Sequence, residues 1–112
     1  MKYKYHLRPG DQSQDLLIEI FSGVENEYFL TDLLDSITAI NAKIDKISDL
    51  WMNDEILIEV SSDVGFFSIS KDIWDFAFIM SDHNKECIKK ISLLLSENEN
   101  FQKVEVNFEK YK

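Results

Sequence analysis

The sequence predicts an α+β domain in which two helices cover one face of a largely antiparallel sheet. Three observations lead to this prediction. Residues 55 to 80 are rich in alternating β-branched and aromatic side chains and are interrupted twice by short polar residues, which indicates three consecutive strands. Two other segments repeat apolar residues at three- and four-residue spacing, as amphipathic helices do. Alternating segments at both ends of the chain complete the predicted order, ββ-α-βββ-α-β.

The length of 112 residues is that of one domain, so we expect residues 1–112 to form a single α+β domain. No apolar run approaches the roughly 20 residues that cross a bilayer, and the N-terminus lacks the apolar stretch of a secretory signal. The single Cys87 cannot form an intramolecular disulfide, which agrees with a reducing compartment. We therefore expect a cytoplasmic protein.

The first two strands are predicted from the N-terminal segment. Tyr3, Tyr5 and Leu7 alternate with basic residues, and basic side chains protect exposed sheet edges from aggregation, so we expect an edge strand. The turn residues 9–11 lead to a second strand over residues 16–21, which should pair with the first as a hairpin.

A long helix is predicted from Asn26, a plausible N-cap, to Ile47. Acidic residues near its start and lysines near its end suit the helix dipole. Asn41 falls on its apolar stripe and would need a hydrogen-bond partner if buried. The stripe consists of Leu30, Leu33, Leu34, Ile37, Ile40, Ile44 and Ile47.

The connection that follows, residues 48–54, contains a tryptophan among acids. Trp51 lies near Asp54 and Glu55, where it either closes the end of the core or stands at a binding surface. The third central strand covers residues 73–80, and its four largest side chains alternate, so we expect the face that they share to be buried. Those side chains are Trp74, Phe76, Phe78 and Met80.

A second helix is predicted from a cap at residues 81–82 to about Ser96, followed by a closing strand over residues 102–109. The inward side of this helix contains Cys87, Ile88, Ile91, Leu94 and Leu95. His83 lies one turn from Cys87 and is the only conventional partner for a cysteine nucleophile, but Cys87 is on the apolar stripe and reads more simply as a core residue. No metal-ligand spacing or glycine-rich phosphate loop is present, so we expect no metal and no cofactor.

The sheet face away from the helices should carry both carboxylates and apolar side chains. Such a face could hold a pair of catalytic acids as glycosidases do, could receive a basic protein, or could simply be solvated. Its predicted members are Glu19, Glu59, Asp75, Lys103 and Glu105, with Leu57, Phe66, Phe21 and Ile79 among them.

The charge of the chain indicates which kinds of partner it can bind. The formal net charge is −9, and residues 11–82 contain 16 acids against three lysines. Such a region repels nucleic acids and anionic membranes and attracts basic proteins, although acidity also serves solubility alone.

This acidic middle region, the strand ending at Met80 with the helix after it, and the closing strand after Phe101 resemble the immunity proteins of bacterial toxin systems, particularly those of contact-dependent growth inhibition. The resemblance implies a non-catalytic monomer that binds the toxic domain of a cognate effector one-to-one, often a basic nuclease, and blocks its active site. Two alternatives stay open: a chaperone or adaptor for a secreted basic effector, and a small enzyme that uses Glu59 with Asp75 or His83 with Cys87. The candidate partner-binding residues are Asp32, Asp35, Trp51, Asp54, Glu55, Glu59 and Asp75.

Overall fold

The computed structural model describes residues 2–9, 15–50, 55–81 and 84–105. Within them, seven strands and two α-helices confirm the α+β class, with one strand more than the predicted order. In chain order the elements are β1 (Tyr3–Pro9), β2 (Leu16–Ser22), α1 (Phe29–Ser36), a single turn of 3-10 helix (Thr38–Ile40), β3 (Lys43–Leu50), β4 (Glu55–Ser62), β5 (Gly65–Asp72), β6 (Ala77–Met80), α2 (Lys85–Ser96) and β7 (Phe101–Lys103).

The strands of this part of the chain form one sheet in the order β3-β4-β5-β6-β2-β1-β7. Every neighbouring pair is antiparallel except β1 with β7. The predicted hairpin of β1 and β2 is confirmed, but β1 is not an edge strand. It lies between β2 and β7, because the chain returns through α2 and places β7 beside it in parallel.

Both helices pack against one face of the sheet, as predicted, and enclose a single apolar core. Tyr3 and Tyr5 are completely buried there, and the ring of Tyr3 stacks on Phe101 with 4.8 Å between centroids. Burial of this apolar surface is the main term that stabilises a fold of this size. The core also includes Ile18, Ile20, Phe29, Leu33, Ile37, Ile58, Val60, Phe67, Ile69, Ala77, Ile79, Cys87, Ile88, Ile91 and Leu95.

The predicted long helix over residues 26–47 is wrong in its second half. The helix ends at Ser36, and after the 3-10 turn Asn41 adopts a left-handed conformation with φ of 51°. Asparagine tolerates this conformation, which cannot continue a helix, and the chain then turns into β3. Asn41 is exposed, and its side chain donates a hydrogen bond to Asp63 at 2.6 Å. Asn26 does not cap the helix; its Oδ1 accepts from the backbone N–H of Tyr28.

A β-bulge explains why the apolar residues of β3 have the spacing of a helix. Ile44 pairs with Val60 and Ile47 with Ile58, so both face the helix side of the sheet although they are three residues apart. In a regular strand, residues three apart point to opposite faces. The register shift inserts Asp45 as an extra residue, which restores Ile47 to the same face.

The predicted orientation of the third central strand is also wrong. β5 continues to Asp72, residues 73–75 form a loop, and β6 begins only at Ala77. Ala77 and Ile79 face the core, where Ile79 pairs with Ile18 and Ile69, whereas Trp74 is exposed. The register of β6 with β2 and β5 therefore decides which of its faces is buried, and the size of its side chains does not.

The second helix is confirmed with a later start. Asn84 is its N-cap, and the Asn84 Oδ1 accepts from the backbone N–H of Cys87 at 3.1 Å. Of the predicted cap residues, Ser81 does not cap the helix, because its hydroxyl donates to the Phe66 carbonyl, and Asp82 lies outside the described residues, as does His83. On the exposed side of the helix, Glu86 forms an ion pair with Lys89 at 3.7 Å. The closing strand begins one residue earlier than predicted and ends at Lys103, residues 104 and 105 are not strand, and residues 106–109 of the predicted range lie outside the described residues.

Candidate functional site

The candidate site lies on the face of the sheet opposite the two helices, which we call the outer face. Side chains of neighbouring strands form rows across it. One row joins Glu59 of β4, Ser68 of β5 and Met80 of β6, and continues to Leu17 of β2. Ile79, which was predicted here, points into the core instead.

A groove of about 660 Å³ opens at one end of this face. Its wall includes the carboxylates of Asp45 and Glu59 together with Phe66, Met80 and the N-cap residue Asn84. The groove therefore combines acidic and apolar side chains, and this composition suits a cationic side chain with a long apolar stem.

Asp45 reaches the groove because it is the extra residue of the β3 bulge. Its carboxylate accepts a hydrogen bond from Ser61 Oγ at 3.1 Å, which joins β3 to β4 and fixes the orientation of the acid. Bulges commonly redirect a side chain in this way next to functional sites.

Glu59 is exposed, and its carboxylate forms no hydrogen bond or ion pair with any residue that the structure describes. Lys46 pairs with it across β3 and β4 without coming within ion-pair distance. Phe66, on the adjoining strand, is 74% exposed. A carboxylate without a partner beside an exposed aromatic ring is an arrangement that a binding partner can complete.

The outer face of β1 and β2 is closed by its own contacts. Arg8 Nε donates to Glu19 Oε1 at 2.9 Å, and these side chains are only 11% and 19% exposed. His6 stacks on Phe21 at 4.2 Å between ring centroids. The predicted outer-face acid Glu19 therefore holds the sheet together and is not available to a partner.

The two helical candidates differ from each other. Asp32 accepts hydrogen bonds from the Tyr3 hydroxyl at 2.5 Å and from Lys2 Nζ at 3.3 Å, so its carboxylate is already engaged. The hydrogen bond from Tyr3 is the largest cause that lowers the pKa of Asp32, and Lys2 adds to it against the opposing effect of burial. Asp35, one turn later, is exposed. Both belong to the helix layer and not to the groove.

The remaining candidates lie along β4 and beyond β5. Glu55 accepts a hydrogen bond from Ser70 Oγ at 2.5 Å, and Asp75 lies in the exposed loop between β5 and β6 with φ of 63°. Trp51 and Asp54 lie outside the described residues. The structure thus brings Glu55 and Asp75 to one end of the sheet, and Glu59 to the groove at the other.

The positions of Glu59 and Cys87 do not suit the catalytic pairs considered from the sequence. Glu59 is four positions from Glu55 along β4, roughly 13 Å, and Asp75 lies beyond Asp72, the strand partner of Glu55. That separation exceeds the distance at which two carboxyl groups flank one glycosidic bond. Cys87 is fully buried, and burial raises the pKa of its thiol. Among the described residues, no group of three or more His, Cys, Asp or Glu could hold a metal ion.

Several groove residues were not predicted from the sequence, and the two that matter most for its chemistry are Asp45 and Met80. Asp45 was hidden in the predicted helix, and Met80 was assigned to the buried face of its strand. Phe66 was placed correctly on the outer face but was not chosen as a contact residue. The signal for Asp45 was weak, because a bulge is visible only in the pairing of two strands.

Comparisons with known proteins add no relative. The chain matches no protein-family model, and no curated protein or solved structure is significantly similar to it. None of the helices in the described part of the chain has the length and apolar character needed to cross a membrane.

Proposed function

We propose that this protein is an immunity protein, which binds a basic toxin domain through the outer-face groove and thereby blocks the toxin's active site. The observation that supports this best is the groove itself. It places Asp45 and Glu59 beside Phe66 and Met80, on a chain of net charge −9. The protein acts in the cytoplasm as a monomer bound one-to-one, without catalysis or a cofactor.

The chemistry of the groove suits lysine or arginine side chains of the partner. The apolar stem of such a side chain would lie along Phe66 and Met80, and its cationic group would meet the carboxylates of Glu59 and Asp45. An arginine could in addition lie over the Phe66 ring as a cation–π pair. A pocket for one basic side chain would fix the orientation of the whole complex.

Inhibition follows from the same charges. A nuclease binds the phosphates of its substrate with basic side chains, and carboxylates can occupy those positions in place of phosphates. Attraction between the acidic chain and the basic toxin speeds their encounter, while a few buried apolar contacts supply most of the affinity. The acidity of the chain also disfavours nucleic acids and anionic membranes as partners.

The test uses the C-terminal domain of the protein encoded beside this chain, produced as an inactive variant. Its dissociation constant is measured with the wild type, with Glu59→Lys, and with Glu99→Lys, a matched charge reversal at an exposed position after α2. We expect Glu59→Lys to weaken binding more than tenfold, because like charges at an interface cost several kcal/mol, and Glu99→Lys to change it little. No binding by the wild type, or equal losses in both variants, would contradict the proposed site.

A further inference from the structure

The loop between β5 and β6 presents two adjacent apolar side chains to solvent. Ile73 is 56% exposed and Trp74 is 70% exposed. A buried tryptophan contributes a large apolar area to a core, and this one contributes little. Tryptophan is also among the residues most enriched at the energetic centres of protein interfaces.

The loop that carries Trp74 is held in one conformation by Asp72. The Asp72 Oδ1 accepts from the backbone N–H groups of Trp74 at 2.9 Å and Phe76 at 3.1 Å. The Asp72 N–H also donates to the Phe76 carbonyl at 3.1 Å. With Asp75 left-handed, this is a three-residue hairpin loop of a common type. A loop fixed before binding loses little conformational entropy when a partner docks.

The surroundings of Trp74 are acidic. Glu55 pairs with Asp72 across β4 and β5, and Asp75 follows Trp74 directly. Asp75 forms no hydrogen bond or ion pair with any described residue. Lys71 is the nearest basic residue along β5. An apolar anchor bordered by carboxylates is complementary to an apolar cleft bordered by lysines or arginines.

We propose that Trp74 is a second anchor for the same basic partner and inserts into an apolar cleft with a cationic rim. The inference rests on the proposed function, since it takes the basic toxin domain as the occupant. Trp74 lies eight residues from Phe66 along β5 and its loop, so their Cα atoms are at most roughly 27 Å apart. One interface of standard size, about 800 Å² on each partner, is wide enough to include both side chains.

The affinity test compares Trp74→Ala with Tyr28→Ala, another exposed aromatic residue, which precedes α1 on the helix layer. Against the inactive toxin domain, Trp74→Ala should weaken binding about 30-fold or more, the loss typical of a hot spot, and Tyr28→Ala about twofold at most. Asp72→Asn and Asp72→Ala both remove the charge, but only Asp72→Asn keeps the oxygen that accepts the hydrogen bonds of the loop. Asp72→Ala should therefore lower the affinity more than Asp72→Asn.

A fluorescence measurement reports on Trp74 directly. The chain contains two tryptophans, so Trp51→Phe leaves Trp74 as its only tryptophan. Trp51 is itself a candidate contact residue, so the affinity of Trp51→Phe for the toxin domain is measured first. Its emission should shift to shorter wavelength when the toxin domain binds. If the wild type and Trp74→Ala bind the toxin domain equally well and the Trp74 emission does not shift, Trp74 is not an anchor. The groove then remains the proposed binding site. If the wild type does not bind at all, both proposals are overturned.

Discussion

The Tyr3 hydroxyl donates a hydrogen bond of 2.5 Å to the Asp32 carboxylate, and this bond ties the first strand to the first helix. The ring of Tyr3 is buried between Phe29 and Phe101, at centroid distances of 5.5 and 4.8 Å. Asp32 is therefore a structural residue, although its sequence position suggested a contact with a partner. Burial and then the bond to Asp32 raise the pKa of Tyr3 well above its ordinary value.

The first prediction concerns acid stability. Because the pKa of Asp32 is lowered in the folded state, its bond to Tyr3 stabilises the fold above the ordinary carboxyl pKa. That stabilisation is lost as pH falls through the lowered pKa of the folded state. Tyr3→Phe keeps the ring and removes the bond, so the difference in unfolding free energy between wild type and variant should shrink as pH falls below about 4. Denaturant titrations at several pH values measure it.

Tyr5→Phe is the matched control. The Tyr5 hydroxyl is buried like that of Tyr3 but donates to the Ser92 carbonyl, which does not titrate. Its effect on stability should therefore be constant across the acid range. If the two variants showed the same dependence on pH between 2 and 6, the Asp32 carboxylate would not be the group responsible.

The second prediction concerns the face of β6. Ile79 is fully buried, and Phe78 is half-buried on the outer face opposite Ser70 and Glu19. Ile79→Ala should cost about 2 to 5 kcal/mol, because it leaves a cavity in a packed core. Phe78→Ala removes more atoms but should cost less. Thermal or denaturant unfolding shows which of the two variants loses more stability. A larger loss of stability for Phe78→Ala would mean that Phe78, and not Ile79, faces the core.

The sequence predicted the fold class correctly but failed where periodicity is ambiguous. The α2 pattern and the β1–β2 hairpin follow from local signals that agree with their tertiary contacts. Ile44 and Ile47 matched a helical stripe because the Asp45 bulge places residues three apart on one face. A single sequence cannot distinguish such a bulged strand from a helix, because the pairing with β4 that defines the bulge is a long-range contact.

The candidate site was predictable only in part. The acidity of the chain is visible in its composition. The outward direction of Glu59 and Phe66 follows from the alternation of side chains along their strands. Trp74 was assigned to the core on size, whereas the Asp72 hydrogen bonds close a loop that exposes it. Asp75 has a left-handed backbone in that loop, so Asp75→Asn, which tolerates this conformation, is a cleaner test of its charge than a change to lysine.

The third prediction concerns the thiol of Cys87, which is fully buried and whose pKa is raised by burial. A thiolate must form and be reached before it reacts, so modification of the native protein should require transient opening of α2. An aromatic disulfide reagent should react at least about 100-fold more slowly in buffer than in denaturant. Lys89→Cys in a Cys87→Ser background places a thiol on the exposed side of the same helix and should react fast in both conditions. Equal native rates for the two thiols would contradict the burial of Cys87.

The fourth prediction concerns how the partner arrives. If charge steers the acidic chain to a basic toxin domain, the association rate should fall at least about tenfold between about 0.02 and 0.5 M salt, because the Debye length drops from roughly 20 Å to a few ångströms. The dissociation rate should change less, since contacts at Phe66 and Trp74 are apolar. Glu59→Gln should reduce the salt dependence of association more than Glu99→Gln, although both remove one negative charge, because Glu59 lies in the groove. Stopped-flow association kinetics with the inactive toxin domain measure these rates, and a rate independent of salt would exclude electrostatic steering even if a tight complex forms.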